Sequence, residues 1–273
     1  MRGKKLLKNK TPGFELKAGA ALAILICAIT ITGMIRLPYE YNAMDSVNRF
    51  CPPEGNHIMG TDNFGRDVFS RILAGAKYTL LTALLTVASS AIAGTVLGLL
   101  SGYAGGIRDE AVMRFMDTAS SFPGLLLALA VVSLMGNGPE ALIFALFILF
   151  TPGFTRIMRN GMLQYKTRDF VLAARITGIS DRRIIFVHIF PNLLQTLLSA
   201  SVLGLSNAIL AESTMSYLGL GVQPPVPSWG RMLAESQTFL FNAPWCALSP
   251  GFMIMLTVLA FHYLGEGLKG NEK

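Results

Sequence analysis

Few residues in this sequence are spaced for chemistry. His57, His188 and His262 lie far apart, and neither a His-Glu-x-x-His pattern nor another helical ligand pair joins them. His262 is the one candidate metal ligand, and no second ligand stands at helical spacing from it. Cys27, Cys51 and Cys246 are odd in number and lack metal-like spacing, so neither a disulfide framework nor a zinc site follows. No Gly-x-x-x-x-Gly-Lys-Ser/Thr loop is present, so the amides and lysine that cradle nucleotide phosphates are missing. No catalytic or cofactor-binding residue is expected.

The elements that would position any site are apolar. The chain is 52% hydrophobic and 14% charged, with a mean hydropathy of +0.51. A soluble domain carries about 25% charged residues. The apolar residues gather into runs of bilayer length at 18–35, 78–100, 118–135, 141–155, 189–211 and 246–264. They predict an all-α polytopic membrane protein with six transmembrane helices. The first run follows Arg2, Lys4, Lys5, Lys8 and Lys10; it is longer than a signal core, and Arg36-Leu37-Pro38 offers no small-residue cleavage pattern, so it reads as an uncleaved anchor.

Placing both termini in the cytoplasm puts 17 of the 23 Lys and Arg residues inside and six (Arg36, Arg49, Arg66, Arg71, Lys77, Arg231) outside, as the positive-inside rule requires. The net charge of +7 is thereby explained by topology. The basic residues lack the interleaved aromatics of a nucleic-acid platform, and no nucleic acid is expected.

Charge inside hydrocarbon is costly, which singles out Asp117, Glu212 and His262. Asp117 and Glu212 fall near span ends, where a hydrated or hydrogen-bonded position is expected. Gly94, Gly98 and Gly102 recur at every fourth position on one helix face, suited to close helix packing or to a sliding contact during transport. Two outer segments, 37–77 and 214–245, exceed simple turns. The second, with Gly219, Gly221, Pro224, Pro225, Pro227, Gly230 and Pro244, reads as a compact or re-entrant structure or as a plain loop.

The longest cytoplasmic stretch is 159–188. Phe170, Ala173, Ala174 and Thr177 are spaced to share one face of a short helix that Gly178 ends. Ser180 or Asp181 then caps a second helix through Arg182 and Arg183, leading past His188 and Pro191 into the fifth span. Small residues flanked by Arg168, Arg175, Arg182 and Arg183 suit a docking knob. They equally suit an amphipathic helix on anionic lipid.

Val171-Leu172-Ala173-Ala174-Arg175-Ile176-Thr177-Gly178, followed by His188-Ile189-Phe190-Pro191-Asn192, resembles the Glu-Ala-Ala-x-x-x-Gly loop of ATP-binding-cassette importer permeases. Two outer motifs are similar to the C-type subunit of the dipeptide/oligopeptide/nickel branch. One contains Gly60, Thr61, Asp62, Gly65, Arg66 and Asp67; the other contains Glu212, Gly219, Gly221, Pro224, Pro225, Trp229 and Gly230.

The resemblance covers nearly the whole chain and implies a type I importer permease fold. It divides the chain into a cytoplasmic N-terminus (1–17), an anchor (18–35), an outer segment (36–75), a transport domain (76–265) with coupling loop 159–188, and a tail (266–273). It implies import of di- or oligopeptides, or of nickel or a metal chelate. The implied partners are a homologous B-type permease subunit, two cytoplasmic ATPase subunits that bind ATP and Mg, a solute-binding protein outside, and the lipid bilayer.

Two positions depart from the family pattern. Leu172 stands where the loop glutamate is usual, so an apolar docking contact on Phe170, Leu172, Ala173 and Ala174 is expected, and His262 stands at an expected asparagine. A proton-coupled carrier would need an acidic or histidine relay or broken-helix repeats, and an intramembrane enzyme would need a nucleophile or metal set; the sequence shows neither.

Overall fold

The structure, a computed structural model, describes residues 12–270, so Arg2, Lys4, Lys5, Lys8, Lys10 and Lys273 of the charge count lie outside the described residues. Pairing of β type among the described residues is limited to two isolated bridges, Glu54 with His57 and Thr61 with Asp67. The helices are α1 (Pro12–Ile35), α2 (Val68–Ala104), α3 (Gly106–Ser121), α4 (Gly124–Met135), α5 (Pro139–Tyr165) and α6 (Asp169–Ile176). After them come α7 (Asp181–Arg183), a π turn (Ile184–Ile189), α8 (Phe190–Tyr217), α9 (Trp229–Ser236) and α10 (Trp245–Gly270). Five helical stretches are long and apolar enough to cross a membrane: α1, α2, α5, the run Asp181–Tyr217, and α10. The pair α3 and α4, bent by 90° between them, is long and apolar enough for a sixth crossing when the two are taken together as one broken span.

That bend corrects the third span expected at 118–135, which is not continuous. Proline disfavours helical backbone in the residue before it and has no N–H for the ladder. Phe122 and Pro123 accordingly turn to extended backbone, with ψ of 133° and 126°. The second span begins at Val68 instead of 78, because the Asp67 carboxylate accepts the Ser70 N–H at 2.7 Å and starts the helix there. Within 159–188, α5 continues to Tyr165 and α6 occupies the middle.

The central pair is α2 against α5. A Cβ on Gly94 would stand 2.5 Å from the Phe154 Cβ, one on Gly98 2.5 Å from the Thr155 carbonyl oxygen, and one on Gly102 3.1 Å from the Arg159 carbonyl oxygen. At Gly94 and Gly98 only hydrogen fits between the helices, and at Gly102 the fit is tight. Long apolar side chains bring no hydrophobic gain against lipid tails, so close backbone approach is what holds such helices together. The helix α1 lies antiparallel along α10 by the same device, with Gly19 against the Leu264 main chain and Gly267 against Leu16.

Four buried clusters stack through the molecule. An outer one joins Val68, Ile72, Trp229, Met232 and Cys246. A middle one joins Ala83, Val87, Phe154 and Ile209. A lateral one joins Val131, Leu142, Leu146 and Met215. The cytoplasmic one joins Leu99, Met158, Met162, Val171, Ala174, Ile184, Ile185 and Leu193.

Candidate functional site

The cytoplasmic cluster fixes the short helix α6. Asp169 in its first turn and Arg175 in its last complement the helix dipole. Its end is a Schellman cap: the Gly178 N–H donates to the Arg175 carbonyl at 3.0 Å and the Ile179 N–H to the Ala174 carbonyl at 3.1 Å. That closure needs positive φ, and Gly178 supplies it at 75°. The predicted stop at Gly178 thus has its physical counterpart.

The face of α6 differs from the expected one. Phe170, Ala173, Ala174 and Thr177 do not act as a single surface, because Ala174 turns inward with the fully buried Val171. The outward face consists of Phe170 (43% exposed), Leu172 (44%), Ala173 and Ile176 (87%). Ile176 was missed by the sequence reading; it follows Leu172 by one helical turn, which is the signal that could have found it.

Polar contacts brace the same corner. The Tyr103 hydroxyl at the end of α2 donates to the Asp181 carboxylate, and the Arg175 guanidinium lies 5.1 Å from the Tyr103 ring centroid. Lys166 donates to the Gly102 carbonyl at 2.8 Å. Arg159 grips both carboxylate oxygens of Asp109 at 2.6 Å, and Arg156 donates to Asp117 at 2.8 Å. Ser180 occupies the N-cap of α7 without a side-chain hydrogen bond, and Arg182 and Arg183 are exposed beside it. His188 sits in the π turn, half-buried, its Nε2 without a hydrogen-bond partner among the described residues. Pro191 is in the first turn of α8, where its missing N–H costs nothing.

The two outer motifs meet at the opposite end. Asp62 accepts from Arg66 at 2.6 Å, and Glu235 accepts from Arg66 at 3.2 Å and from Arg71 at 3.1 Å. Thr61, Asp62, Arg66, Asp67 and Arg71 are all buried. His57 Nδ1 lies 2.9 Å from Asp67. Arg71 and Glu235 were missed, being distant in sequence from the residues they pair with. On the exposed surface the Asn48 amide at 2.8 Å and the Val47 N–H hold the Asp45 carboxyl below its usual range.

Gly60 and Gly65 turn with positive φ, and Trp245 donates to the Thr61 carbonyl at 3.1 Å. Trp229, fully buried, donates from its main-chain N–H to Thr79 Oγ1 at 3.2 Å. A Cβ on Gly230 would sit 2.2 Å from the Ser213 carbonyl oxygen, and one on Gly221 2.0 Å from Ser216 Oγ. Glu212 is fully buried and accepts from Ser216 Oγ at 2.7 Å. Gly219, Pro224 and Pro225 form the turn between α8 and α9. The segment 214–245 is therefore not a plain loop: it folds through α9 into a compact structure packed on α2, α8 and α10.

His262 stands on α10 with its ring 6.3 Å from that of Tyr263. Among the described residues no three His, Cys, Asp or Glu side chains gather to hold a metal ion.

Known proteins share this arrangement. The dipeptide transport system permease protein DppC of Alkalihalophilus pseudofirmus is 38% identical over 266 residues, spanning 97% of this chain and 86% of that protein. The glutathione transport system permease protein GsiD of Pectobacterium atrosepticum is 38% identical over 255 residues, spanning 92% of this chain and 84% of that protein. Among solved structures, the inward-facing MetNI methionine ABC transporter matches with a TM-score of 0.59 at 18% identity, covering 70% of this chain and 91% of that one, a likeness of fold. The family described as binding-protein-dependent transport system inner membrane component matches residues 94–268. The chain is a multi-pass inner-membrane protein of this family, a permease subunit of an ATP-binding-cassette importer.

Proposed function

We propose that this chain forms half of the translocation pathway of an importer of short peptides. It would pair with a homologous B-type permease subunit and work with two cytoplasmic ATPase subunits and an extracytoplasmic solute-binding protein. The observation that carries the reading is the two-sided helix α6. Leu172, Ala173 and Ile176 are exposed and Phe170 is half-exposed with its edge toward the Tyr165 ring, while Val171 and Ala174 seat the helix on residues of α2, α5, the π turn and α8. A helix held in this way moves with the spans beneath it.

In this reading ATP and Mg bind the partner ATPases, consistent with the absence of a phosphate loop here. Closure of the ATPases displaces α6, and α5 and α8 follow through Met158, Ile184 and Leu193. Such coupling requires an element whose two positions are biased differently by nucleotide state. The transport domain is 76–265, and the outer cap built on Asp62, Arg66 and Trp229 faces the binding protein. Peptide is the assigned substrate class because the similar permeases are named for dipeptide and glutathione transport.

The test is uptake of labelled di- and tripeptides by liposomes holding the assembled importer, its binding protein and ATP. Accumulation that needs ATP and stops when residues 170–183 are deleted supports the reading. ATPases that still co-purify with the deleted chain would sink the assignment of α6.

A further inference from the structure

Between α5 and α8, beside the Gly161–Leu193 contact near their cytoplasmic ends, lies a cleft of about 550 Å³. This lies within the usual size of ligand clefts, about 300–1,000 Å³. Six of its lining residues carry uncharged polar side chains of the amide or hydroxyl type: Asn160, Gln164 and Tyr165 on α5, and Asn192, Gln195 and Thr196 on α8. Asn160 and Gln164, like Asn192 and Thr196, are four apart and so share a helix face. The cleft meets a second one of about 250 Å³ at Ile157, and that one contains Asn207.

Asn207 is the telling residue. It lies ten positions before Tyr217, the outer end of α8, or about 15 Å along the helix at 1.5 Å per residue, which is mid-bilayer. It is exposed, and its side-chain amide has no hydrogen-bond partner among the described residues. The amides of Asn160 and Gln164 are likewise exposed and unpartnered there. A bare amide facing hydrocarbon is strongly unfavourable, so this face meets water or another polar surface. The wall is also neutral. Among the described residues Lys269 is the one charged residue lining either cleft, and Glu266 pairs with it at 3.1 Å. Arg156 and Arg159 on α5 are held by Asp117 and Asp109.

We propose that the α5–α8 cleft is this chain's wall of the substrate path, and that its amides hydrogen-bond the main chain of a passing short peptide. This rests on the importer reading above. A side-chain amide offers both donors and an acceptor, as a peptide bond does, so Asn160, Gln164 and Asn207 can each meet either backbone group, whereas Asn192 and Gln195 already donate to the His188 and Leu268 carbonyls. A neutral wall does not trap the charged termini or side chains of the cargo. Passage needs contacts strong enough to admit and weak enough to release. Long amides projecting into open volume also contrast with the small residues used at the packed α2–α5 contact.

The test is thiol labelling in the reconstituted importer, with Cys27 and Cys51 replaced by Ser and Cys246 by Ala. Asn207→Cys and, independently, Asn160→Cys are exposed to a charged, membrane-impermeant methanethiosulfonate. Modification of both, slowed by excess dipeptide, is the expected result. A thiol at 207 that reacts only with a lipid-soluble maleimide, or that crosslinks to the neighbouring permease subunit and resists the charged reagent, overturns the proposal. Asn207→Leu is expected to lower uptake by roughly three- to tenfold, the range for one lost neutral hydrogen bond, with ATPases still co-purifying. Peptide uptake by the unmodified importer is scored separately. Its absence overturns the importer reading and with it the peptide as occupant, whereas uptake without labelling overturns the wall alone.

Discussion

The Trp229 indole N–H donates to the Ile72 main-chain carbonyl at 3.0 Å, joining the cap to the start of α2 across 157 residues of chain. The ring is wholly buried among Val68, Ile72 and Met232. Trp229→Ala removes both the bond and the volume and is expected to cost about 3–5 kcal/mol. Trp229→Phe, which keeps most of the volume, is expected to cost about 1–2 kcal/mol. Thermal unfolding in detergent separates them; equal losses would mean that the indole bond carries nothing.

The α2–α5 contact makes a sharper demand. With main-chain atoms 2.5 Å from a Cβ at position 98, no rotamer relieves Gly98→Leu. Overpacking of this kind costs about 1–3 kcal/mol or more. The expected outcome is a chain that inserts but elutes aggregated on size exclusion. At Gly102 the nearest atom is 3.1 Å away, so Gly102→Ala should be milder.

At the cytoplasmic face, Leu172→Asp and Ile176→Asp change exposed side chains outside the core, so the fold should persist within about 0.5 kcal/mol. Docking should not. The pair is expected to abolish co-purification of the ATPases at unchanged expression, measured by pull-down. Val171→Asp, one residue away but fully buried, should instead destabilise the chain itself.

Gly178→Val tests the cap alone. Space is not limiting there, because no atom lies within 4 Å of an added Cβ. The strain is conformational: a β-branched residue at a φ of 75° costs roughly 1–3 kcal/mol. The expected phenotype is ATP hydrolysis that continues with reduced uptake, read from the ratio of phosphate released to peptide accumulated. An unchanged ratio argues against a coupling role for the bend.

The long apolar helices are legible in the sequence from apolar length, and the stop at Gly178 from one glycine. Prolines were the harder signal. Pro123 breaks the third span, while Pro152 and Pro250 sit inside α5 and α10 without ending them. A proline's effect depends on what surrounds the freed carbonyls, which one sequence does not display. Ala174 illustrates a second limit: helical spacing groups residues by face but does not say which face is down, and Val171 beside it decided that. The Arg71–Glu235 pair, at 3.1 Å, joins residues whose separation in sequence hides any pattern.

The 37 residues from Asp181 to Tyr217 form one unbroken helical stretch, about 55 Å at 1.5 Å per residue. One end meets α6 through the π turn, and the other runs into the capped outer segment. Such a rod behaves as a see-saw: a tilt of about 10° about its midpoint carries the two ends about 5 Å in opposite directions. The two mouths of the pathway are thus geometrically opposed, and widening one while narrowing the other needs no separate signal across the membrane.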